Sequence, residues 1–375
     1  MTPVLFASDA HRCQELDLQM KSDMAYEVLQ GPTRPLKFGA PRKWRIAALD
    51  GYDNVILFRT AAHLTHLWIS LGRLEDSFTR FVPWMNVQSL RLNEVNIPPK
   101  TLLQVLGQTR TLSSLIVHAD GTFDLMDDDD HHLPINAVTI PSLTHFRLYF
   151  GRVTETSQIL AQNMRAPKLR CLEVQSACTE DLRTLESFMR SSTSVTSFSV
   201  NEVKFRERDN IDEHFLPVLL SILRGLTALE RFRLGLINVD RMLNLRPLLG
   251  RLTFSPNQEA TVPDLKELHL VGPRAGLTSH QLQDLVEGRL SRRGPDRSYA
   301  NTSGPQLPSA LQALYLQKVF IFECATYNSQ GNGYRNSEAA VRLRWLLDAE
   351  EAGSLVYGVN GDLEFGDDLT WESTT

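Results

Sequence analysis

The 375-residue sequence has only four cysteines, and they are scattered along the chain. Cys13, Cys171, Cys178 and Cys324 form no CxxC pair, which argues against both a disulfide framework and a structural zinc site. The sequence has no apolar run long enough for a membrane helix, and residues 1–10 lack the basic and apolar regions of a signal peptide. These absences predict an intracellular protein, cytoplasmic or nuclear, without membrane contact.

Common catalytic and cofactor motifs are also missing. There is no P-loop, no GxGxxG after a strand, no GxSxG and no HExxH, so we expect neither an enzyme nor a cofactor. The run Asp127–Asp130 followed by His131 and His132 contains metal-ligand types. Adjacent residues of one loop rarely converge on a single ion, so we interpret this run as a solvated acidic loop and predict no metal site.

The sequence does contain a repeated six-residue frame, apolar-x-x-apolar-x-apolar, of which Leu265–Leu270 is a clear copy. Eleven copies, the second of them degenerate, begin at Cys13, Pro41, Leu64, Val87, Leu112, Leu143, Leu169, Val195, Leu229, Leu265 and Leu311. The end of each copy alternates with the period of a half-buried strand, and a single such strand cannot bury its apolar face. The copies therefore predict an α/β leucine-rich-repeat solenoid, an irregular horseshoe with a parallel concave sheet and helical or irregular convex returns.

Domain organisation and charge follow the same pattern. We predict a repeat domain of about eleven irregular repeats over residues 1–350 and an acidic C-terminal tail over residues 351–375, with an edge strand at Leu355–Val359. The chain has a net charge of −5, but residues 350–375 carry seven acids and residues 124–130 carry five. Without these twelve acids the repeat body has a charge of +7, so it is mildly basic.

The returns between strands include recognisable helices. Residues 179–190 and 216–223 place leucines at helical spacing, and a last helix is expected over about 337–349. Thr278 and Gln281 predict a capping box at the start of another helix, and Arg289 suits the C-terminal end of its dipole.

Side chains at frame positions 3, 5 and 7 should project from the concave face, the surface that such solenoids present to partners. Ten of them predict a basic binding face with aromatic residues: Arg45, His66, Trp68, Arg91, His118, His145, Arg147, Tyr149, Arg231 and Arg233. Arginine forms bidentate bonds to carboxylate and phosphate, and tryptophan and arginine are favoured at hot spots. The face therefore suits a protein or an acidic or phosphorylated peptide, although an open sheet can also tolerate such residues without a function. No Lys/Arg stripe is present, so we rank nucleic-acid binding below protein binding.

An enzyme is the competing class of function. His145 and Cys171 occupy equivalent frame positions in consecutive strands, about 5 Å apart across a sheet, where the imidazole could lower the thiol pKa. An open sheet offers neither a pocket nor oxyanion donors, so we expect no catalysis.

Four strands continue with further aliphatic residues where the best-known repeat has an asparagine: Leu92–Ile97, Val200–Phe205, Leu234–Val239 and Leu316–Ile321. The frame, this continuation and the helix near Thr278 resemble the leucine-rich regions of fungal F-box-like proteins, especially those of mushroom-forming fungi, over nearly the whole chain. The resemblance implies the substrate-binding part of an F-box-like ubiquitin-ligase adaptor, with ligase components as further partners. No F-box is recognisable here, so docking to a ligase cannot be assigned to any residue. A generic leucine-rich-repeat scaffold without a ubiquitin role is the alternative.

Overall fold

The structure is a computed structural model that describes residues 15–19, 42–49, 63–73, 82–119, 137–150, 155–203, 211–236, 243–253, 261–272, 275–277, 279–290, 311–317, 320–321 and 356–359. The predicted helix over 337–349 and the acidic loop around residues 127–132 lie outside these ranges.

Twelve parallel strands form one continuous sheet, in the order in which they occur along the chain. They are β1 (Glu15–Gln19), β2 (Lys43–Leu49), β3 (His66–Arg73), β4 (Ser89–Asn96), β5 (Ser114–Ala119), β7 (His145–Phe150), β9 (Cys171–Gln175), β10 (Ser197–Asn201), β11 (Arg231–Gly235), β13 (Glu267–Val271), β15 (Ala313–Gln317) and β17 (Val356–Val359). The first eleven coincide with the eleven copies of the frame, which confirms the predicted leucine-rich-repeat solenoid. Five short strands complete the numbering: β6 (Val138–Thr139) pairs with β8 (Met164–Arg165), and β14 (Ala275–Leu277) pairs with β12 (Leu243–Asn244) and β16 (Phe320–Ile321).

The twelfth strand extends the sheet past the predicted end of the repeat domain at residue 350. β17 pairs with β15 in parallel, with Val356 opposite Ala313. Residues 355–359 contain no acid, although acids precede and follow them, so this short segment can pair like a strand. The other residues after 350 are outside the described ranges, and the extent of the acidic tail stays a prediction.

The apolar frame residues form the core in aligned columns. Leu67, Leu90 and Leu115 are in register with one another across three strands, and each is at most 2% exposed. Farther along, the same column contains Phe198 and Phe232, whose stacked rings lie 5.9 Å apart. Burial of these rows removes a large apolar area from water, which is the main force that holds consecutive repeats together.

Among the described residues, six α-helices cover one side of this core: α1 (Pro99–Gln108), α2 (Glu155–Asn163), α3 (Thr179–Arg190), α4 (Ile211–Gly225), α5 (Arg246–Leu252) and α6 (Ser279–Leu290). Each helix packs on the next in chain order. Leu182 and Leu185 of α3 and Leu282 of α6 are fully buried, as helical spacing predicts. The opposite side of the sheet carries no helix among the described residues, and we call it the open face.

Three repeats have a left-handed residue at the same frame position, within β4 in one repeat and directly after β9 and β10 in the other two. Glu94, Ser176 and Glu202 have φ values of 54°, 55° and 56°. This conformation breaks the alternation, so that Glu94 is exposed and the next residue, Val95, is buried. Two of the four aliphatic continuations, at 92–97 and 200–205, contain such a left-handed residue. At the equivalent position Gly272 has φ 139°, and a Cβ there would lie 2.5 Å from the carbonyl oxygen of Leu236.

Hydroxyl groups at the other end of the strands connect neighbouring repeats. Thr111, Ser142 and Ser194 precede the first frame residue of their repeats, and each hydroxyl oxygen lies 2.7 to 3.1 Å from two carbonyl oxygens of the preceding repeat, to which its one proton can be donated. These hydrogen bonds link each repeat to the backbone of the preceding one, a role that an asparagine has in the best-known leucine-rich repeat.

Candidate binding face

The ten predicted face residues lie in three adjacent columns of the open face. The middle column runs Asp17, Arg45, Trp68, Arg91, Ile116, Arg147, Glu173, Ser199, Arg233, His269, Tyr315 and Gly358, each opposite the next in strand register. The first column contains His66, His145 and Arg231, which are exposed, and the third contains His118 and Tyr149, which are half-buried. The structure therefore places all ten side chains on the same side of the sheet.

Trp68 lies between two arginines. The guanidinium carbon of Arg45 is 3.6 Å from the centroid of the indole ring, and that of Arg91 is 4.2 Å from it. Because β2, β3 and β4 are consecutive in the sheet, the two arginines approach the ring from its two sides. Each contact is a cation–π interaction, the kind that contributes about 0.5–2 kcal/mol depending on desolvation.

The surroundings of Trp68, which the sequence predicts as a hot-spot residue, are set by its two neighbours. A guanidinium group lies over each side of its ring. The indole nitrogen is buried and has no hydrogen-bond partner among the described residues. Trp68, Arg45 and Arg91 thus form one contiguous group on the open face.

In the third column, polar side chains on neighbouring strands form a row of hydrogen bonds. Asn93 Nδ2 donates to Ser70 Oγ at 3.3 Å, and His118 Nδ1 lies 2.9 Å from Asn93 Oδ1. Since an amide oxygen only accepts, this contact assigns the proton to Nδ1 of His118. The His118 and Tyr149 ring centroids are 3.8 Å apart. The sequence analysis identified His118 and Tyr149 but not Asn93. Asn93 occupies position 7 of its frame copy, and this position already indicated that its side chain lies on the concave face.

His66 and His145 are held by the threonine that precedes each of them. Thr65 Oγ1 lies 2.9 Å from His66 Nδ1 and donates to a backbone carbonyl at 3.1 Å. Thr144 makes the same pair of contacts, at 2.9 Å to His145 Nδ1 and 3.0 Å to a carbonyl. The Leu-Thr-His triplets at 64–66 and 143–145 are the sequence signal for this arrangement.

Arg147 forms an ion pair within the face. Its Nε and Nη2 atoms both lie 2.7 Å from Oε2 of Glu173 on the next strand. The other carboxylate oxygen of Glu173 accepts a hydrogen bond from Asn201 Nδ2 at 3.2 Å. Glu173 was not among the predicted site residues, although the column order from the sequence already placed it beside Arg147.

Arg231 and Arg233 form a second basic cluster on the open face, around His269. Burial, followed by the charges of Arg233 and Arg231, lowers the pKa of His269 to about 4, so the ring is neutral near pH 7. Its ring stacks on Tyr315, with centroids 4.2 Å apart. Burial also lowers the pKa of Arg233, while Glu173 acts in the opposite direction.

The geometry does not favour nucleophilic chemistry at Cys171. His145 and Cys171 are opposite one another in register, as predicted. Burial raises the pKa of the Cys171 thiol, and Glu173 adds to that rise, although a hydrogen bond with Ser197 opposes it. Burial and Arg170 lower the pKa of His145, so its cationic form, which would stabilise a thiolate, is also disfavoured.

Metal sites and membrane spans are absent from the described part of the chain. No group of three or more His, Cys, Asp or Glu side chains there is arranged to hold a metal ion. None of the six helices α1 to α6 is long and apolar enough to cross a bilayer.

The sequence matches no known family model and no curated protein. Among solved structures, a leucine-rich-repeat protein of Leptospira interrogans is similar over 95% of this chain and 98% of that chain. The two sequences are 13% identical, and the TM-score is 0.30.

Proposed function

We propose that this protein is a recognition module that binds a protein partner through its open face, and that an acidic or phosphorylated peptide is the preferred ligand. The supporting observation is that Arg45, Trp68 and Arg91 form one stacked unit in the middle column. Solenoid folds of this type use their extended concave surface for binding. Arginine is suited to the role because its planar fork matches a carboxylate or a phosphate.

Nucleic acid is a weaker candidate for this face. Proteins that bind single strands without sequence preference use exposed aromatic faces on which bases stack. Here both faces of Trp68 are occupied by guanidinium groups, and the His118 ring lies 3.8 Å from that of Tyr149. The charges are also mixed, since Glu173 neutralises Arg147.

We further propose an adaptor role within an F-box-like ubiquitin ligase, acting inside the cell in the cytoplasm or nucleus. The support for this finer role is the resemblance of the frame and its continuation to the repeats of fungal F-box-like proteins. No described residue is assigned to a contact with ligase components. Affinity purification followed by mass spectrometry tests the role, which predicts recovery of ligase components with the partners. Recovery of partners alone would favour a scaffold without a ubiquitin role.

The binding face is tested by substitution and partner capture. We expect Trp68→Ala and Arg91→Ala each to reduce capture at least about tenfold, equivalent to about 1.4 kcal/mol, without unfolding the protein. Arg91→Lys should not restore capture, because an ammonium group cannot form a bidentate fork or stack flat on an indole.

The control must lie on the helical side of the sheet. Glu186 of α3 is unsuitable, because it accepts hydrogen bonds from Ser221 of α4 and from Arg190 and so links two helices. Arg183 is the better control, since it is exposed and its ion pair with Glu180 lies within α3. Arg183→Glu should leave capture unchanged. Unchanged capture by the Trp68→Ala and Arg91→Ala double variant would instead exclude the open face as the site.

A further inference from the structure

We infer that the edge of the sheet at which the strands begin is a second docking surface, separate from the open face, for an acidic segment of a partner protein that carries one large apolar side chain. This surface goes beyond the proposed function, which concerns the open face alone. We call it the basic rim and define it by residues of three repeats: Met85, Arg110, Arg165, Lys168 and Arg170.

Met85 and Arg110 are neighbours on this rim, since each lies two residues before the first frame residue of its repeat. The hydroxyl oxygen of Thr111 lies 2.9 Å from the carbonyl oxygen of Met85, and that of Ser142 lies 2.7 Å from the carbonyl oxygen of Arg110. Pro167 has the same position in the repeat of β9. Because β4, β5, β7 and β9 are consecutive strands about 4.8 Å apart, the row from Met85 to Pro167 extends over roughly 14 Å.

The basic side chains of the rim have no acidic neighbour that balances their charge. All four are exposed, and among the described residues none has a side-chain ion pair or hydrogen bond: Arg110, Arg165, Lys168 and Arg170. The surrounding stretches contain no Asp or Glu, at 95–119, 137–150 and 164–172. Glu94 and Glu202 lie at the opposite ends of their strands. The rim therefore has one sign of charge and attracts an anionic partner.

The rim also presents an exposed apolar side chain. Met85 is the one large apolar residue in the described part of the chain that is mostly exposed, with 62% of its surface accessible. It lies in a 3₁₀ turn, Trp84–Asn86, whose tryptophan is buried and holds the turn against the core. Methionine and arginine are both enriched in protein–protein interfaces, and methionine adapts to varied apolar surfaces. A phosphate backbone would leave Met85 uncovered, so the rim favours a protein partner over nucleic acid.

The length of the row sets the size of the partner segment. Roughly 14 Å corresponds to about nine residues of an α-helix or about four residues of an extended strand. A segment of about twelve residues covers the row in either conformation. It can place an apolar side chain against Met85 and carboxylates against Arg110 and Arg170, which is the chemistry that the rim selects.

Methyl NMR of the full chain with carbon-13-labelled methionine methyl groups tests the rim, because Met85 is its own reporter. The chain has eight methionines, and Met85→Leu identifies the Met85 signal. The probe is a synthetic peptide of about twelve residues with four glutamates and a central leucine. We expect it to shift the Met85 signal saturably. Peptides with glutamine for glutamate, or with serine for leucine, should bind at least about fivefold more weakly.

Variants separate the rim from the open face. Arg110→Glu combined with Arg170→Glu should weaken the glutamate–leucine peptide at least about tenfold, because it reverses two exposed charges of the rim. Arg183→Glu, at an exposed position of α3, is the matched control and should keep the wild-type affinity. Trp68→Ala on the open face should keep it as well. Met85→Ser should weaken the same peptide at least about fivefold by fluorescence anisotropy. Thermal unfolding checks that each variant retains the fold.

Several results would overturn the basic rim. One is a Met85 signal that does not move with up to about 1 mM glutamate–leucine peptide. Others are equal affinity for the glutamine peptide and a titration that disappears in Trp68→Ala. Tighter binding of single-stranded RNA, or of vesicles that contain anionic phospholipid, would assign the rim to another class of partner.

A last variant tests whether the chain itself occupies the rim. Replacement of the four aspartates at 127–130 by asparagine should change the affinity for the glutamate–leucine peptide by less than about twofold. A gain of tenfold or more would show that this acidic loop, and not a partner, is the natural occupant. Partner capture that depends on Trp68 and Arg91 is measured independently, so the rim and the proposed function can fail separately.

Discussion

Arg147 and Glu173 face each other on β7 and β9, and two nitrogens of the arginine lie 2.7 Å from a single carboxylate oxygen. Both side chains are mostly shielded from solvent, with 26% and 20% of their surface exposed. Asn201 holds the second oxygen of Glu173. The pair separates two basic parts of the open face, the group of Arg45, Trp68 and Arg91 on one side and the cluster of Arg231 and Arg233 on the other.

Removing the negative charge of Glu173 should strengthen the binding of acidic ligands. We expect Glu173→Gln to raise affinity for an acidic peptide by about two- to fivefold, since charges on a partly solvated face interact by less than about 1 kcal/mol. The gain should shrink as salt is added, because the interaction is screened over about 10 Å or less. Anisotropy titrations at low and high salt measure both effects. An affinity that falls in the variant would show that the ion pair itself organises the site.

Adjacent residues of β13 should differ sharply in their tolerance of a charge. Leu268 is fully buried, whereas His269 is half-buried on the open face. Leu268→Asp buries an unpaired carboxylate and is expected to reduce the free energy of unfolding by about 3–5 kcal/mol. His269→Asp places a carboxylate beside Arg231 and Arg233, so its effect should stay within about 0.5 kcal/mol. Urea denaturation compares the two variants, and equal destabilisation would contradict the strand assignment.

The stability of the protein should decrease in mild acid because of His269. Its pKa falls from the ordinary 6.5 to about 4 on folding, so the unfolded chain binds more protons between these two values. Stability contributed by the neutral ring is therefore complete above about pH 6.5 and is lost as the pH falls toward about 4. The loss is at most about 3 kcal/mol, and solvent near the ring reduces it.

A variant with an uncharged ring at position 269 tests whether His269 causes this pH dependence of stability. The charged groups that face His269 are Arg231, Arg233 and Glu267, the last at 3.8 Å from Nε2. His269→Phe keeps the stacking on Tyr315 but cannot take up a proton. Urea melts at pH 7 and pH 5 should therefore show a smaller stability difference for the variant than for the wild-type protein. Identical pH dependence would mean that other groups control acid stability.

The side of the sheet on which each face residue lies was predictable, because side chains alternate between the two faces of a strand with a period of two residues. Alternation within each frame copy assigns Arg45, Trp68 and Arg91 to the same column, and the parallel pairing of consecutive copies makes them neighbours. The fold was predictable from the same eleven copies. Longer insertions between later copies did not disturb this result, since each repeat contacts mainly its neighbours.

The contacts within the face were not predictable from that period. Column order placed Trp68 between two arginines but could not show that guanidinium groups cover both faces of its ring. The left-handed turn at Glu94 was hidden because a non-glycine residue rarely signals a positive φ. Rotamers and local backbone turns depend on packing between repeats, which a pattern within one repeat does not encode.

Cys171 should behave as an ordinary, poorly reactive thiol. Burial raises its pKa, so little thiolate is present at neutral pH. We expect slow labelling by iodoacetamide below about pH 8 and an unchanged rate at Cys171 in His145→Ala, with modified positions identified by peptide mass spectrometry. Rapid labelling near pH 6 that depends on His145 would revive the enzyme hypothesis.

Arg289 is a buried arginine that donates to three backbone carbonyl oxygens. It lies in α6 with 2% of its surface exposed, and burial lowers its pKa to about 10, so it is still charged at neutral pH. Its Nε, Nη1 and Nη2 atoms donate to the carbonyl oxygens of Leu252, Leu265 and Val262 at 2.8, 3.1 and 2.8 Å. The sequence predicts Arg289 at the C-terminal end of its helix dipole, and the structure shows that its side chain also joins α5 to the segment before β13.

Replacing Arg289 should therefore destabilise the C-terminal repeats. Arg289→Met has a similar length but removes the donor of the Leu252 and Leu265 carbonyl oxygens, while that of Val262 keeps the Leu265 N–H at 3.4 Å. Each unsatisfied group costs about 1–3 kcal/mol. We expect a loss of about 3–5 kcal/mol in the free energy of unfolding, measured by urea denaturation. Arg289→Lys should recover only part of it, because one ammonium group cannot reach three carbonyls in a fixed fork. Arg251→Met, at an exposed position in α5, is the matched control and should change stability by less than about 0.5 kcal/mol. Equal stability of Arg289→Met and Arg251→Met would show that the three carbonyls do not need the arginine.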